Sequence, residues 1–484
     1  MKLYELIAVN EYIEWHAPTE TDINNITADP RKAKCDTLLI ITNSRKITTL
    51  NYINEECVIL TDESIPLPDG VQYVRAKNVR LVAAYACSRF YHFDSLGLKI
   101  IGVTGTNGKT STATFIKHAL EGGGIPTGFI GTGMITACDE IISDTSYSMT
   151  TPDPWDLYRI LAIMQTRGCR AVVMEVSSHA LELCKVAPIS FEYAVFTNLS
   201  PEHLDFHKSY ESYYLAKKRL FGQCKTAIIN VDDPMARRLA DECNCRMIKV
   251  GAVWRGDHYA SRIRCRGENG VDYLYHGNNF VFEMKLMTPG IYNVYNSMLS
   301  IAVAVDMGVK PVDVKKALSC IRAIPGRYEI IKDDVTVIID YAHTSGALEA
   351  FLQSVRRTMT GVERLITVFG AGGERDREKR PRMAAISERY SDLTVITSDN
   401  PRGEDPEAII SDIVSGFTTA EYRVIADREA AIRESILCAG VGDTVAVIGK
   451  GCEGYYIDRD GYHPFDEYKI INGALLERKK QVVL

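Results

Sequence analysis

The residue types best suited to chemistry lie in a glycine-rich turn between an apolar run and a helical pattern that begins near Lys109. Gly102, Gly105 and Gly108 allow the backbone to turn tightly, so amide N–H groups and the start of the helix can face phosphate groups. Lys109 can place a positive charge beside the outer phosphates of a nucleotide, and the Thr110 hydroxyl can bind Mg²⁺. The turn therefore predicts a nucleoside triphosphate site, although such a turn can also join a strand to a helix without any nucleotide.

Polar side chains also follow two of the predicted strands. Glu175 comes directly after the apolar residues 172–174, and His203 and Asp205 follow residues 196–199. Because parallel strands end at one edge of a sheet, a carboxylate and an imidazole there can complete the shell of a phosphate-bound Mg²⁺ ion. Each residue also has a structural interpretation, since a single histidine is often a buried structural residue and Asp205 could cap a helix.

The elements that would position these residues form three α/β regions along the 484 residues. Residues 1–97 contain short strand-like runs and one helical stretch, which predicts a small α/β cap. Residues 98–326 alternate apolar runs with helical patterns, which predicts a mostly parallel, doubly wound sheet. Residues 327–484 repeat this alternation after Pro325 and Gly326, so we expect a further domain of the same class whose cleft faces the middle one. The strands predicted for these last two regions are 99–104, 170–174, 193–197, 226–231, 247–250, 335–340, 365–370, 393–397, 422–425 and 444–448.

Composition places the chain among ordinary soluble proteins. Hydrophobic residues make up 46% and charged residues 24% of the sequence, and the net charge is -6. No apolar run approaches the ~18 residues of a membrane span, and the first residues lack the apolar core of a signal peptide. The 13 cysteines are scattered without a CxxC pair, which favours reduced thiols over disulfides or a zinc site. We expect a cytoplasmic monomer with small-molecule partners, no nucleic acid and no membrane.

Taken in order, the motifs between about residues 98 and 470 resemble those of the Mur ligase family, in which an acyl phosphate is formed and then captured by an amine. The resemblance is to the branch that makes UDP-N-acetylmuramoyl-tripeptide, and it includes a phosphate loop with Val103 where the common pattern has its first glycine. The further matching motifs are Thr150-Thr-Pro-Asp153, Glu175-Val-Ser-Ser-His179, His203-Leu-Asp205, Asn293-Val-Tyr-Asn296, Asp340-Tyr-Ala-His343, Gly372-Gly-Glu-Arg-Asp376, Asp399-Asn-Pro-Arg402 and Gly449-Lys-Gly-Cys-Glu453.

The resemblance implies a three-domain Mur ligase architecture and an ATP site. The domains would be a small α/β N-terminal cap, a central doubly wound P-loop ATPase domain and a C-terminal Rossmann-like α/β domain. The implied cofactors are ATP and Mg²⁺. The implied ATP-binding residues are Gly105, Thr106, Asn107, Gly108, Lys109, Thr110, Ser111, Asn293, Asn296, Arg327, Asp340 and His343.

The resemblance also implies metal ligands and catalytic groups. The metal ligands would be Thr110, Glu175, His203 and a carbamylated Lys217. A carbamate converts a cationic lysine into an anionic oxygen ligand for a second Mg²⁺, whereas the alternative for Lys217 is a solvated helical lysine. The implied catalytic residues are Lys109, Glu175, His203, Lys217 and Arg327.

For the incoming amino acid, Arg402 belongs to a motif that resembles the one found with meso-diaminopimelate rather than with lysine. An arginine binds a distal carboxylate through two hydrogen bonds, and lysine has no such carboxylate. The alternative is a surface arginine after a proline turn. The implied amino-acid-binding residues are Arg375, Asp399, Asn400, Arg402, Gly449 and Glu453, and the implied acceptor-binding residues are Thr150, Thr151, Ser177 and Lys185.

The departures from the family pattern concentrate on the carboxylate acceptor. Pro30 replaces a serine and Met149 an asparagine, while residues 41–46 form a different uridine loop. Leu183 and Lys185 replace a glutamine and an arginine. We therefore expect a UDP-linked muramoyl dipeptide to bind more weakly than it does in a typical family member.

The leading hypothesis is an ATP-dependent, amide-forming ligase that adds a diamino acid to UDP-N-acetylmuramoyl-L-alanyl-D-glutamate. One alternative is a paralogue that uses a carboxylate acceptor without UDP. Another, from a different functional class, is an ATP-binding sensor or scaffold that does not ligate.

Overall fold

A computed structural model describes residues 1–7, 12–42, 57–62, 64–67, 69–142, 150–359, 361–419 and 421–482 of the chain. Two of the acceptor-side positions, Met149 and residues 43–46, lie outside this described part.

The N-terminal region consists of one sheet, with a helix before its first strand and another after its last strand in the sequence. Its five described strands are β1 (Tyr12–His16), β2 (Asn25–Thr27), β3 (Thr37–Ile40), β4 (Val58–Thr61) and β5 (Gln72–Ala76). They lie in the order β1-β5-β4-β3-β2, with β1 antiparallel to β5 and the other neighbours parallel. Helix α1 (Leu3–Leu6) precedes the sheet and α2 (Val79–Phe90) follows it. The predicted α/β cap is therefore present.

The middle region is built on one mixed sheet. Its described strands are β6 (Lys99–Thr104), β7 (Thr127–Gly131), β8 (Met134–Ala137), β9 (Glu140–Ile141), β10 (Ala171–Glu175), β11 (Phe191–Phe196), β12 (Cys224–Asn230), β13 (Arg246–Gly251), β14 (His258–Cys265), β15 (Val271–His276) and β16 (Val281–Leu286). They lie in the order β16-β15-β14-β13-β12-β11-β6-β10-β7-β8-β9. All neighbours from β7 across to β14 are parallel, and the strands beyond them at each edge are antiparallel.

Helices cover both faces of this sheet. They are α3 (Lys109–Gly122), α4 (Pro154–Thr166), α5 (Ser178–Glu182), α6 (Leu204–His207), α7 (Tyr210–Lys218), α8 (Pro234–Glu242), α9 (Tyr292–Asp306) and α10 (Pro311–Ser319). On β6, Ile100 belongs to one apolar core with Leu157 of α4, whereas Ile101 belongs to another with Ile116 of α3. Successive residues of a strand point to opposite faces, so the apolar run of β6 is explained by a sheet that is covered on both sides.

The last region is built on a third sheet, smaller than that of the middle region, with its own helices. The described strands are β17 (Glu329–Lys332), β18 (Thr336–Asp340), β19 (Leu365–Phe369), β20 (Leu393–Ile396), β21 (Tyr422–Val424) and β22 (Thr444–Ile448), in the order β17-β18-β22-β19-β20-β21. Only β17 is antiparallel to its neighbour among these described strands. A hairpin of β23 (Tyr455–Asp458) and β24 (Gly461–Pro464) follows. The helices are α11 (Ser345–Thr358), α12 (Lys379–Tyr390), α13 (Pro406–Val414), α14 (Arg428–Cys438) and α15 (Glu467–Val482).

The sequence prediction omitted the antiparallel extension formed by β14, β15 and β16. Along β15, buried and half-buried residues alternate, which is typical of a sheet with one covered face. The prediction relied on continuous apolar runs, and these occur in strands that are buried on both faces. None of the helices in the described residues is long and apolar enough to cross a membrane.

Candidate active site

The glycine-rich turn joins β6 to α3, and two of its positions require glycine. Gly105 and Gly108 have φ values of +147° and +82°, which residues with a side chain rarely adopt. A Cβ at Gly105 would lie 1.9 Å from Thr197 Oγ1, and one at Gly108 would lie 2.5 Å from Asn296 Oδ1. The turn is therefore closely packed against its neighbours.

The loop after β11 fixes the shape of the turn through hydrogen bonds. The Thr106 N–H donates to the backbone oxygen of Asn198 (2.9 Å), and the Asn107 N–H donates to the Asn198 side-chain oxygen (3.0 Å). The Thr197 hydroxyl donates to the Asn107 backbone oxygen (2.6 Å). The first N–H groups of α3 have no acceptor within the helix, so they can bind the phosphates of a nucleotide.

Lys109 begins α3, and its ammonium group folds back over the turn. Its Nζ donates to the backbone oxygens of Gly105 (3.0 Å) and Thr106 (2.9 Å). Burial lowers the pKa of Lys109, the neighbouring Glu175 carboxylate opposes this shift, and Arg327 adds to it. A phosphate placed on the turn would supply the anionic partner that this partly buried ammonium group favours.

The Thr110 hydroxyl lies between charged groups that come from the middle and last regions. It donates to Glu175 Oε1 (3.0 Å) and accepts from Arg327 Nη2 (2.8 Å). Glu175 ends β10 and is only 1% exposed, and the same Oε1 atom accepts the Thr132 N–H (2.9 Å). This contact joins the glycine-rich turn between β6 and α3, called the phosphate turn below, to the last domain.

The oxygens of Thr110 and Glu175 suit a nucleotide-bound Mg²⁺. This ion usually keeps several waters and binds one or two carboxylates together with substrate phosphates. Within the described residues, no group of three or more His, Cys, Asp or Glu side chains forms a cage for a metal ion. The hydroxyl and the carboxylate therefore match the small share of ligands that a nucleotide-bound Mg²⁺ takes from a protein.

His203 lies in a cluster of aromatic rings beside the turn. Its ring centre is 5.0 Å from that of His179 and 5.9 Å from that of Tyr213. Burial, and then the nearby His179 and Lys217, hold the pKa of His203 far below its ordinary value, and burial lowers the pKa of His179 to about 4. Both imidazoles are therefore neutral near pH 7, which is the form that binds metal ions. The alternative for Asp205 is not observed, because α6 has no side-chain cap.

Lys217 is buried next to the turn and is not a solvated helical lysine. The residue is 1% exposed, its Nζ donates to the Gly105 backbone oxygen (2.9 Å) and lies 4.6 Å from the centre of the Tyr213 ring. Burial, followed by the charge of Lys109, holds the pKa of Lys217 well below its ordinary value. A lysine with a lowered pKa is more often neutral and therefore more nucleophilic.

The asparagines predicted on the adenine side lie at the start of α9. Asn293 Nδ2 donates to the Pro289 backbone oxygen (2.6 Å), and Asn296 Nδ2 donates to Asn293 Oδ1 (3.1 Å). The Thr112 hydroxyl donates to Asn296 Oδ1 (3.2 Å), and Ser111 is buried in the same turn of α3. These contacts hold α9 against the beginning of α3.

Asp340 and Tyr341 shape the part of the last domain that faces the turn. The Asp340 carboxylate accepts the N–H groups of Tyr328 (2.7 Å) and Ala342 (2.8 Å), which fixes the backbone next to Arg327. The Arg327 guanidinium lies 4.0 Å from the centre of the Tyr341 ring. Burial, and then the charge of Lys379, lower the pKa of His343 to about 3, so this ring is also neutral.

The predicted amino-acid residues meet where β20 and β22 end. Asn400 Oδ1 accepts hydrogen bonds from Lys450 Nζ (2.8 Å) and the Ile457 N–H (3.0 Å), while its Nδ2 donates to Glu453 Oε2 (3.2 Å). A Cβ on Gly449 would lie 2.7 Å from Asp399 Oδ2, so the absence of a side chain there leaves room for the aspartate.

The acidic groups in this cluster have opposite pKa shifts. Burial raises the pKa of Glu453, and the nearby Asp399 adds to the shift. Burial also acts to raise the pKa of Asp399, but Lys450 and Arg428 outweigh it and the pKa is lowered. The cluster thus contains an ionised aspartate beside a glutamate whose ionised form a cationic partner would stabilise.

Two arginines border Gly372, and Asp399 and Glu453 act on the charge of one of them, Arg402. Arg402 Nη1 donates to the Gly373 backbone oxygen (2.8 Å). A Cβ on Gly372 would be 2.9 Å from Arg402 Nη1 and 3.7 Å from Arg375 Cγ, so both arginines border one glycine. Burial, and then Arg375, lower the pKa of Arg402. Arg402 is half-buried rather than a surface arginine, and an anion between the two guanidinium groups would relieve their repulsion.

The four predicted acceptor residues lie near the end of β10, where Glu175 is. The Thr151 hydroxyl donates to the Glu175 backbone oxygen (2.9 Å) and accepts the Ser177 N–H (3.1 Å). Thr150 shares a hydroxyl hydrogen bond with Thr132 (3.0 Å). Lys185 is 5% exposed, and its Nζ lies 2.9 Å from an Asp153 oxygen and donates to the Thr151 backbone oxygen (3.3 Å).

Several residues of the site were missed by the sequence analysis. Lys450 is 1% exposed and holds Asn400, and its place inside the motif 449–453 could have identified it. The buried ion pair between Glu202 and Lys379 joins residues 177 positions apart, so no local pattern predicts it.

Comparison with known proteins places the chain in a family. Residues 103–304 match the Mur ligase middle domain, and residues 326–451 match the Mur ligase glutamate ligase domain. The UDP-N-acetylmuramoyl-L-alanyl-D-glutamate–2,6-diaminopimelate ligase of Syntrophomonas wolfei is 37% identical over 97% of this chain and 98% of its own length. The chain belongs to the Mur ligase family. Mur ligases are ATP-dependent ligases of peptidoglycan synthesis that use Mg²⁺, so the predicted family, enzyme class and cofactors are confirmed.

Other Mur ligases support the same assignment. The diaminopimelate ligase of Clostridioides difficile is 36% identical over 98% of this chain and 99% of its own length. A solved structure of a diaminopimelate ligase has a TM-score of 0.66 and 26% identity over 99% of both chains. The MurF ligase of Thermotoga maritima, solved with ADP, has a TM-score of 0.63 at 14% identity, covers 95% of this chain and 98% of its own, and shares the fold. The predicted three-domain Mur ligase fold is thereby confirmed.

The buried state of Lys217 predicts a specific pH dependence of stability. Its pKa is lower in the folded chain than the ~10.4 of an unfolded lysine, so the unfolded chain binds more protons between these two values. Stability should therefore rise with pH in that interval and fall as pH drops through the lowered pKa. In bicarbonate-free buffer, we expect the unfolding free energy of the wild type to rise from pH 7 to 10 relative to that of Lys217→Met, as measured by urea denaturation.

Lys218→Met is the matched control, because Lys218 is the next residue of α7 and pairs with Glu242 (2.9 Å) at the surface. The difference between the wild type and this control should change little over the same pH range. Parallel curves for the wild type and Lys217→Met would contradict the lowered pKa.

Proposed function

We propose that this chain joins meso-2,6-diaminopimelate to UDP-N-acetylmuramoyl-L-alanyl-D-glutamate, with ATP converted to ADP and phosphate. The observation that carries the proposal is the set of charges around Gly372, where Arg375 and Arg402 border the same glycine and the acids Asp399 and Glu453 act on the charge of Arg402. A diamino dicarboxylic acid has ammonium groups for the acids and two carboxylates for the arginines. Lysine has one carboxylate and would leave the second arginine without an anionic partner. The relatives that span nearly the whole chain carry the name of this same ligase.

The reaction proceeds in two balanced steps. An oxygen of the acceptor carboxylate attacks the γ-phosphorus of ATP, the bond to the bridging oxygen breaks, and ADP leaves. The amine of the amino acid then attacks the acyl carbon, phosphate leaves, and the nitrogen loses a proton. Lys109 and Arg327 stabilise the charge on the transferred group and hold it in line, which is how proteins generally accelerate phosphoryl transfer. Thr110, Glu175 and His203 would hold Mg²⁺, which would supply neutralisation of the phosphate charge.

Closure of the last domain protects the acyl phosphate from water. Arg327 reaches across to Thr110 (2.8 Å), and Asp340 fixes the backbone beside it (2.7 Å to the Tyr328 N–H). His343 packs against Tyr341, with 4.9 Å between the ring centres, and it binds ATP together with Asn293 and Asn296 on the adenine side. Exclusion of water favours amine attack over hydrolysis.

Lys217 reacts with CO₂ to form a carbamate, in which the neutral amine nitrogen bonds to carbon and a proton is released. Its low exposure and lowered pKa favour the neutral amine that this reaction needs. The resulting carbamate would hold a second Mg²⁺ through its oxygens and, being anionic, would attract Lys109 rather than repel it.

The division of labour follows the three regions. Residues 1–97 bind the nucleotide-sugar end of the acceptor, residues 98–326 bind ATP, and residues 327–484 bind the amino acid. Thr150, Thr151, Ser177 and Lys185 form the acceptor side of the reaction centre. The protein acts as a cytoplasmic monomer on small molecules, without nucleic acid or membrane partners.

A second candidate function is ligation to a carboxylate acceptor without UDP. The observation that favours it is the Lys185–Asp153 ion pair (2.9 Å), because the lysine that aligns with an acceptor-binding arginine already has a protein partner. An ATP-binding sensor that does not ligate is the remaining alternative.

The decisive experiment measures ADP release. We expect release only when Mg²⁺, UDP-N-acetylmuramoyl-L-alanyl-D-glutamate and meso-diaminopimelate are all present, and no release by Lys109→Met. Release with the amino acid and another carboxylate, but not with the UDP-linked dipeptide, would favour the second candidate. Absence of release with any acceptor, despite ATP binding measured by calorimetry, would favour the sensor.

The carbamate at Lys217 has a direct spectroscopic test. We expect ¹³C-bicarbonate to give the wild type one carbamate carbon signal by NMR that is absent from Lys217→Met and retained in Lys218→Met. The bound carbon should disappear when the protein is held at acidic pH, since carbamates lose CO₂ on protonation. A wild type without the signal, but with full ligase activity, would contradict the carbamate.

Arg402→Ala should raise KM for meso-diaminopimelate at least about tenfold, since it removes a charge-assisted contact worth about 1.5–3 kcal/mol. KM for ATP should stay within about threefold, because Arg402 lies away from the phosphate turn. The control is Arg423→Ala, which removes an exposed arginine from β21 of the same domain. A wild type that prefers lysine over meso-diaminopimelate would contradict the amino-acid assignment.

A further inference from the structure

A buried ion pair joins the middle and last domains beside the site, and neither of its residues takes part in the proposed reaction steps. Lys379 Nζ lies 3.2 Å from Glu202 Oε1, and the two residues are only 7% and 5% exposed. Exposed ion pairs contribute little, but a buried charge that loses its partner is strongly unfavourable. The pair therefore favours the arrangement in which the two domains are in contact.

Glu202 is attached to the phosphate turn. It lies in the loop after β11, where the Ser200 N–H donates to Thr106 Oγ1 (3.0 Å) and the Asn198 backbone oxygen accepts the Thr106 N–H (2.9 Å). A movement of the turn is therefore transmitted to the loop that carries Glu202.

Lys379 is attached to the loop that carries Arg375. It is the first residue of α12, directly after that loop, and its neighbour Arg380 is fully buried. Arg380 Nη2 donates to the Gly372 backbone oxygen (3.2 Å) and to the Glu404 carboxylate (3.1 Å). Because Arg380 ties the start of α12 to Gly372, the loop that carries Arg375 is fixed to the helix that carries Lys379. Lys379 and Arg375 therefore move as one unit.

We propose that the Glu202–Lys379 pair is the contact through which the nucleotide-bearing domain places Arg375 in register with the amino-acid substrate. The pair forms when the last domain closes and is lost when it opens, so Glu202 and Lys379 are positioning residues rather than catalytic ones. The inference deepens the proposed function and rests on it for the identity of the amino acid.

The kinetic test compares Lys379→Met, Glu202→Gln and the variant with both substitutions. Each single substitution should raise KM for meso-diaminopimelate at least about tenfold, while the affinity for a non-hydrolysable ATP analogue changes less than about threefold. The double variant should be no worse than the more affected single variant, because it buries no unpaired charge. Unchanged KM values, or effects of the two substitutions that multiply, would overturn the proposal.

Arg382→Met is the matched control. Arg382 lies on the same helix and pairs with Glu378 (3.0 Å), but the two side chains are 64% and 79% exposed. Its KM for meso-diaminopimelate should equal that of the wild type. If either single variant fails to fold, the double variant carries the test, and a wild-type KM in the double variant would contradict the proposal.

A second measurement does not depend on the identity of the amino acid. Small-angle scattering should show that the wild type and Arg382→Met become more compact with Mg²⁺ and the ATP analogue, whereas the double variant remains more extended. Compaction of the double variant to the wild-type radius would overturn the role of the pair. A wild type that compacts but releases no ADP with both UDP-N-acetylmuramoyl-L-alanyl-D-glutamate and meso-diaminopimelate present would instead contradict the proposed function and leave the pair supported.

Discussion

The Thr110 hydroxyl is the point at which the glycine-rich turn, the Glu175 carboxylate and the last domain meet. It donates to Glu175 and accepts from Arg327, at 3.0 and 2.8 Å. Glu175 is in turn fixed by its strand and by the Thr132 N–H, while Arg327 is fixed by the backbone that Asp340 holds. One hydroxyl therefore links two sheets, and a displacement of either sheet changes the geometry at the site of phosphoryl transfer.

Burial of cationic and imidazole groups dominates the electrostatics around this point. Lys109, Lys217, His203 and His343 all have pKa values below their ordinary range, and burial is the largest cause in each case. Such an environment favours anions, because each one that enters gives a buried donor a charged partner. The triphosphate and a carbamate at Lys217 would both supply such anionic partners. This explains how a site whose cationic groups are now bonded to backbone oxygens can accept so much negative charge.

The sequence predicted those parts of the fold and site that depend on local patterns. Continuous apolar runs located β6, β10, β11 and β12, because helices cover both faces of the sheet there, and the Gly-Lys-Thr order located the phosphate turn. The same criterion omitted β15, whose buried residues alternate with half-buried ones. The pairing of Glu202 with Lys379 could not be predicted either, since it depends on how two domains meet over 177 residues of sequence. The roles of the individual site residues remain predictions.

On the acceptor side, single residues such as Lys185 differ from the family pattern although the whole chain is similar to its relatives. The free energy of one lost contact shows that these two observations are compatible. A lysine at position 185 is a point charge, so it can neutralise Asp153 at 2.9 Å but lacks the planar fork with which an arginine would bind two carboxylates at once. The loss of one such contact costs about 1–3 kcal/mol, and each 1.4 kcal/mol is a factor of about ten in affinity. A replacement of this size weakens binding without abolishing it, provided that the remaining contacts along the acceptor are kept. Relatives named as UDP-linked dipeptide ligases align over nearly the whole chain, the first domain included. We therefore expect weaker binding of the same acceptor rather than the use of a new one.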